Sequence, residues 1–330
     1  MKIAVLGAGA WGSALAIALC ARNEVALWAR DPAQASALAS TRRSPYLPEA
    51  ELPVSVRVTD DFAAAIAGAG IALVSTPTSG LRETALRLRD AGPLPLVWAC
   101  KGFEAETAKL PHQIVAEVLG DAAPCGALSG PSFALEVARG QPTAVTFAAR
   151  DERFARETAL ALHQPLFRVY FSNDLLGVEV GGAVKNVMAI ATGIADGLGL
   201  GLNARAALIT RGLAEVTRLG IALGGRPETF MGLAGVGDLI LTCTGDLSRN
   251  RRVGLALGKG ASLESVLRDL GHVAEGVNTA REVERLAMSR GVDMPITHAV
   301  CDVLFRGLPA RAAVEQLLAR DPKGENARPV

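Results

Sequence analysis

The first half of the chain alternates short apolar runs with segments whose apolar residues recur every three or four positions. The runs predict strands over residues 2–6, 25–29, 71–75, 94–99, 124–128, 143–147 and 168–171. The periodic segments predict helices over 11–21, 32–40, 60–67, 79–89, 110–119 and 152–163. Pro32 falls in the first turn of its helix, and an aspartate caps the helix that begins at 60. Strands alternating with helices imply a mainly parallel sheet covered on both faces. After about residue 173 strand-like runs largely vanish, and helical segments follow at 174–198, 203–222, 249–258, 262–270, 276–290, 295–306 and 309–319. The expected fold class is therefore α/β, with a division into residues 1–172 and an all-α unit over 173–330. No Ser/Gly linker separates the two, so the long helix from Asn173 is the expected hinge element. Residues 321–330 are polar, carry prolines and are expected to fray.

Length and composition narrow the class. The chain has 330 residues, 50% hydrophobic and 20% charged, which suits about two packed domains and not a disordered chain. A formal net charge of +1 argues against broad capture of nucleic acid, although a small anion needs only a local cluster. Five cysteines form no Cys-x-x-Cys pair and four histidines are scattered, so no metal site is expected and a reduced, cytoplasmic location is. The N-terminal stretch MKIAVLGAGAWGSALAIALC superficially resembles a secretion signal, but its glycines and Leu19 before Cys20 fit a strand, loop and helix better. The most apolar later stretch, 178–202, contains Glu179, Lys185 and Asp196, so no membrane span is expected.

The first chemical signal is Gly7-Ala8-Gly9-Ala10-Trp11-Gly12, which follows a predicted strand and opens a predicted helix. In that context G-x-G-x-x-G marks a Rossmann-type dinucleotide site. Gly7 permits the tight turn, Gly9 lets backbone approach a pyrophosphate, and Gly12 lets helix pack on strand. The helix N-terminus offers unbonded N–H groups to the diphosphate. The second strand ends in Arg30 and Asp31. Arg30 favours the 2′-phosphate of NADP over the free hydroxyl of NAD, with Asp31 read as the cap of the helix that follows. The cofactor is thus NADP or NAD, with NADP preferred.

Polar clusters that no core needs come next. Lys101-Gly102-Phe103 and Ser129-Gly130-Pro131-Ser132-Phe133-Ala134 each follow a predicted strand end, where open α/β sheets bind ligands. Val184-Lys185-Asn186-Val187 sits within an apolar helix. Ala234-Gly235-Val236-Gly237-Asp238-Leu239 leads to Thr242-Cys243-Thr244 and then to Ser248-Arg249-Asn250-Arg251. With GAGAWGSALA, YLP, ELP, KGFE, LSGPSFA, GAVKNVMAIATGIADGLGLG, GLAGVGDLILTCTGDLSRNR and VAEGV, the chain resembles the bacterial NAD(P)-dependent glycerol-3-phosphate dehydrogenases over residues 7–277. The resemblance implies a two-domain enzyme, usually a homodimer, that interconverts dihydroxyacetone phosphate and sn-glycerol 3-phosphate for phospholipid synthesis. It implies a catalytic role for Lys185, and substrate contacts for Lys101, Gly130, Ser132, Asp238, Ser248, Arg249 and Asn250. It implies cofactor contacts for Ala10, Trp11, Arg30, Tyr46, Lys101, Ala134, Arg249, Val273 and Glu275. Ala10 stands where the family often has a serine or threonine, which puts one hydroxyl contact in doubt.

The residue chemistry agrees. Hydride arriving at a ketone carbon leaves an alkoxide, and a lysine ammonium beside it can supply the proton. In a largely apolar helix the charged form of Lys185 is disfavoured, so its pKa should fall toward the working range; the competing reading is a snorkelling surface lysine. Arg249 is the expected phosphate fork, with Ser248 and Asn250 beside it, against a merely solvated SRNRR face. Asp238 either pairs with Lys185 or accepts from a substrate hydroxyl, against a plain role as cap of the next segment. Ser129–Ala134 is either a ligand loop or ordinary turn chemistry with a cap at Ser132. Lys101, just past a strand end, is expected to meet a negative ligand. The rivals are a hydroxy-acid dehydrogenase of the same plan and a non-catalytic NADPH-binding regulator.

Overall fold

The computed structural model describes residues 1–92, 94–270, 274–321 and 324. Its centre is an eight-stranded sheet in the order Phe167–Ser172, Thr143–Ala149, Cys125–Ser129, Leu96–Trp98, Ile71–Val74, Lys2–Leu6, Glu24–Trp28, Arg57–Thr59. Every pairing is parallel except that of Cys125–Ser129 with Thr143–Ala149. Ile3 is in register with Val25 on one side and Ile71 on the other. The chain leaves Lys2–Leu6 toward one edge and returns to pair on its other side. The crevice past Leu6 is thus the topological switch point, where such sheets take ligands.

The unbroken apolar run of the first strand follows from this position. Ile3 and Val5 face one buried cluster, and Ala4 and Leu6 the other, all four fully enclosed. A central parallel strand is buried on both faces, so its side chains need not alternate. Truncating Leu6 to alanine would cost about 2–5 kcal/mol through the cavity left behind.

From residue 174 onward the described residues are helical. The helix Leu175–Gly197 is capped by Asp174, whose carboxylate accepts the Gly177 N–H at 3.0 Å. It is long and apolar enough to cross a bilayer, but 94% of its most apolar window is buried inside the protein. Around it lie Gly201–Ala222, Asp238–Thr244, Arg249–Gly258, Glu275–Ser289 and Pro295–Phe305. Glycines let two of these backbones meet. A Cβ on Gly193 would strike the carbonyl of Arg251, and one on Gly254 would strike that of Ile190. The glycines at 193, 197, 254 and 258 therefore form an interlocking seam between Leu175–Gly197 and Arg249–Gly258.

The structure departs from the sequence reading in a few places. It adds a hairpin, Arg43–Ser44 with Leu47–Glu51, and the edge strand Arg57–Thr59. The helix expected over 79–89 begins as a tight turn, Thr78–Gly80, and continues as Leu81–Ala91. The N-cap of Phe62–Ile66 is Asp61, which accepts from the Ala64 N–H at 3.0 Å. Short helices at Ala134–Ala138, Pro227–Phe230 and Asp238–Thr244 were not expected either. Val273 and most of the expected tail, 322–323 and 325–330, lie outside the described residues.

Candidate active site

The glycine loop has the shape a dinucleotide requires. Gly7 has φ +119°, a backbone that side chains disfavour, and a Cβ there would sit 3.1 Å from the backbone of Ser75 and Thr76. A Cβ on Gly12 would strike the Gly7 carbonyl. These two glycines are required by the protein itself. Gly9 is not: a Cβ there meets nothing within 4 Å. Open space above a glycine that also opens the helix Ala10–Leu19 leaves room for a group from outside the chain. No side chain caps that helix, so its first N–H groups remain available to a phosphate. The residues present therefore fit a dinucleotide.

The remaining cofactor candidates are placed around this loop. Asp31 accepts the Ala33 N–H at 2.9 Å and caps Pro32–Thr41, the role read for it. Arg30 stays at the strand end with its side chain 73% exposed, 3.7 Å from Glu83. Trp11 and Ala134 pack partly buried against the sheet core beneath the loop. Tyr46 is exposed on the hairpin between Ser44 and Leu47. Glu275 opens Glu275–Ser289 and accepts the Thr78 N–H at 3.3 Å, tying the helical half to the loop after Ile71–Val74. Burial pushes its carboxyl above the ordinary range. The sequence reading passed over Ser75, Thr76 and Thr78, whose buried hydroxyls have no hydrogen-bond partner among the described residues. Their Ser-Thr-Pro-Thr run just past a predicted strand was the available signal.

The lysine cluster lies past the ends of the next strands. Lys185, midway along Leu175–Gly197, is 7% exposed, so it does not snorkel. Its ammonium donates to Asp238 Oδ1 at 2.5 Å and to Thr242 Oγ1 at 2.8 Å. Lys101 donates to the other carboxylate oxygen, Asp238 Oδ2, at 2.7 Å and to the Gly130 carbonyl at 3.1 Å. Asp238 therefore pairs with both lysines; Gly237, not Asp238, is the cap of its helix. Asp238 and Thr242 are one helical turn apart, so one helix face delivers both to Lys185. Thr242 was noted in the sequence without a role. Its four-residue spacing from Asp238 was the signal, but it gains meaning only once Lys185 is known to pack opposite.

Two ammoniums share one carboxylate here, so the trio carries a surplus positive charge. Burial lowers the Lys185 pKa to about 8, against the pull of Asp238, and the neighbouring Lys101 lowers it further. For Asp238, burial alone would push the carboxyl up, but the two ammoniums outweigh it and hold it below its ordinary value. Lys185 has one N–H more than its two partners use. That remaining donor is what an incoming carbonyl oxygen would meet. Gly130, with φ +139° and no room for a Cβ beside Val145, aims its carbonyl at Lys101. Ser132 donates to that same carbonyl at 3.0 Å, so it is not a helix cap; Phe133 occupies the cap position before Ala134–Ala138.

The Ser248–Asn250 cluster divides. Ser248 caps Arg249–Gly258, accepting the Arg251 N–H at 3.2 Å. Asn250 donates to Asn186 Oδ1 at 2.9 Å and accepts the Gly276 N–H at 3.1 Å. Asn186 in turn donates to the Lys101 carbonyl at 3.4 Å. Arg251 is spent on Asp196 and Asp246, both at 2.8 Å. Arg249 alone is exposed and makes no ion pair among the described residues, so its fork is free for a ligand anion. Among the described residues no cluster of His, Cys, Asp and Glu could hold a metal ion.

A dinucleotide loop at a sheet switch point, together with a buried lysine and an arginine without an ion pair among the described residues, defines a nicotinamide-dependent oxidoreductase. Family models described as the NAD-dependent glycerol-3-phosphate dehydrogenase N-terminus and C-terminus match residues 2–155 and 174–315, and the chain belongs to that family. Among its relatives is the glycerol-3-phosphate dehydrogenase [NAD(P)+] of Dechloromonas aromatica, 63% identical over 99% of this chain and 100% of the relative. That of Aromatoleum aromaticum is 61% identical over 98% and 100%. The crystal structure of glycerol-3-phosphate dehydrogenase from Coxiella burnetii superposes with a TM-score of 0.92 at 41% identity, covering 97% of this chain and 99% of that one.

Proposed function

We propose that this protein reduces dihydroxyacetone phosphate to sn-glycerol 3-phosphate, reversibly, as an NAD(P)-dependent glycerol-3-phosphate dehydrogenase. Family membership supports this reading over a hydroxy-acid dehydrogenase or a non-catalytic regulator. The single observation that carries the chemistry is the buried Lys185–Asp238–Lys101 cluster with its spare N–H. The bound nicotinamide supplies or accepts the hydride. Lys185 points its free N–H at the substrate oxygen and gives it a proton in reduction; its neutral amine takes that proton back in oxidation. Lys101 holds Asp238, which holds Lys185, so the donor is oriented from two sides. Arg249 takes the substrate phosphate as a planar fork, beside Ser248 and Asn250 at the start of Arg249–Gly258. Gly130 and Ser132 shape the substrate wall.

On the cofactor side, Gly7, Gly9 and Gly12 with Ala10 and Trp11 cradle the diphosphate. Arg30 favours NADP, and Tyr46, Ala134, Val273 and Glu275 complete the contacts. The division at residues 172 and 173 makes Leu175–Gly197 the element shared by both halves. The protein works in the cytoplasm as a homodimer and feeds phospholipid synthesis. The test is NADPH absorbance on addition of dihydroxyacetone phosphate, repeated with NADH and with unphosphorylated ketones and keto acids. Lys185→Ala should lose roughly 10²–10⁴-fold in turnover. An unchanged rate in that variant overturns the lysine assignment, and no oxidation of NADPH with any ketone overturns the enzyme reading.

A further inference from the structure

One side chain at the glycine loop has no part in the reading above. Gln34 stands in the first turn of Pro32–Thr41, three residues after the cap Asp31. In a helix start of the pattern Asp-x-x-Gln, the glutamine ordinarily turns back to the N–H of the capping residue. Here it reaches elsewhere. Its Nε2 donates across 26 positions to the Ala8 carbonyl at 2.8 Å, and this is the only hydrogen bond of its side chain among the described residues. Ala8 is the second residue of the glycine loop and is only 4% exposed. It lies past the end of Lys2–Leu6 and before Ala10–Leu19, so neither strand ladder nor helix takes its carbonyl. Gln34 supplies the partner that a buried acceptor needs.

That bond also fixes an orientation. No peptide bond among the described residues is cis. In a trans peptide the C=O and the following N–H point in opposite directions. With the Ala8 oxygen held on Gln34, the Gly9 N–H is turned to the other side of the peptide plane. It has no hydrogen-bond partner among the described residues. The next N–H groups, of Ala10 and Trp11, open a helix and have no partner within it. The loop thus keeps a run of donors unspent beside the open space at Gly9. Were the peptide to turn over, an oxygen would stand in place of the Gly9 N–H, and its lone pairs would repel a phosphate.

We infer that Gln34 is a positioning residue for the cofactor: it holds the Ala8–Gly9 peptide so that an N–H, and not an oxygen, faces the diphosphate. The inference rests on the glycine loop seating that diphosphate. The side-chain amide of Gln34 is spent on the loop, so it acts through the peptide. It serves NADPH and NADH alike, because both carry the diphosphate. Arg30, four positions earlier, is assigned the 2′-phosphate that only one of them carries. Affinity and preference are therefore set by different residues at the same helix start.

Calorimetric titration reads the cofactor without turnover. In Gln34→Leu the Kd for NADPH and the Kd for NADH should each rise about 10-fold, the worth of one hydrogen bond to a charged group, with their ratio unchanged. ADP-ribose, which keeps the diphosphate, should lose the same factor. Adenosine, which has no phosphate, should keep its wild-type Kd, read by displacement of NADPH fluorescence. In turnover, KM for NADPH should rise while kcat at saturation holds. Gln34→Glu is the near-isosteric safeguard for folding. A carboxylate cannot donate to the Ala8 oxygen and would instead accept the Gly9 N–H, so this variant should weaken NADPH more than Gln34→Leu does. Wild-type affinity in both variants overturns the inference, as does tighter binding by Gln34→Glu than by Gln34→Leu. An equal loss for adenosine and ADP-ribose overturns it too, since Gln34 would then merely prop the crevice. Gly9→Ala separates the failures. If it leaves NADPH affinity intact, the diphosphate does not sit at the loop, and the loop reading and the role of Gln34 fall together. If it weakens NADPH while both Gln34 variants bind like wild type, the role of Gln34 alone falls.

Discussion

The two ends of the reaction site are built by different means. At the glycine loop the protein offers backbone and empty space: a helix start without a side-chain cap, and a Gly9 with no neighbour where a side chain would go. At Lys185 it offers the reverse, three ionised side chains packed away from water and tied to one another within 2.7 Å. A diphosphate brings its own charge, so the loop needs only dipoles and room. A proton donor needs a tuned pKa, which only burial and fixed neighbours provide. Altering Gly9 should therefore change binding and spare the fold, whereas altering the lysine cluster should damage both.

The largest effect is expected from Asp238→Ala, which strands two buried ammoniums. Unfolding in denaturant should show a loss of about 3–5 kcal/mol, the usual result of removing one partner from a buried pair. A loss below about 1 kcal/mol, the range of exposed pairs, would mean that the cluster is wetter than its geometry implies. Gly9→Ala is the mirror experiment. Its new methyl meets no protein atom, so stability should hold, while NADPH affinity falls by an overpacking cost of about 1–3 kcal/mol. Calorimetric titration with NADPH decides, and unchanged affinity would remove the pyrophosphate from that spot.

Lys185 adds a pH signature. With its pKa held near 8, kcat/KM for ketone reduction should fall about tenfold per unit above that pH, while alcohol oxidation rises through it. Linkage gives the sign for stability. The unfolded lysine titrates near 10.5 and the folded one near 8, so the unfolded chain binds the extra proton in between. The contribution of Lys185 to stability is therefore greatest above 10.5 and is lost as pH falls through 8. A reduction profile flat to pH 10 would refute the depressed pKa. The smallest effect belongs to Arg30→Ala. It should cut the preference for NADPH over NADH by about 10-fold, the worth of one charge-assisted hydrogen bond; an unaltered ratio of kcat/KM values would move the 2′-phosphate elsewhere.

The same contrast governs what the sequence made legible. The glycine loop and its strand are local: six consecutive residues contain the turn, the approach and the packing, and Lys2–Leu6 announces itself by an apolar run from Ile3. Lys185 stood out because a charge interrupts an apolar helix. Asp238 was among its readable partners, but the sharing of that carboxylate with Lys101 was not, because Lys101 and Asp238 are brought together by tertiary packing across 137 positions. The hairpin strand Leu47–Glu51 was missed for another reason. Only Leu47 in it is buried and Pro48 lies within it, so it has neither the alternation nor the propensity of a strand. The SRN cluster read as one anion site, whereas the structure spends Ser248 and Asn250 partly on backbone and leaves Arg249 as the free cation.

The glycine seam between Leu175–Gly197 and Arg249–Gly258 sets a gauge. Lys185 stands on one rail and Arg249 at the head of the other, and the spacing of the rails is fixed by carbonyls resting on bare α-carbons. Side chains can re-rotate to accept a longer or shorter guest, but backbone pressed on backbone cannot give way. If Lys185 meets the reacting oxygen and Arg249 the phosphate, as proposed above, a molecule would be measured between the two, and selectivity for chain length would reside in residues that never touch the substrate.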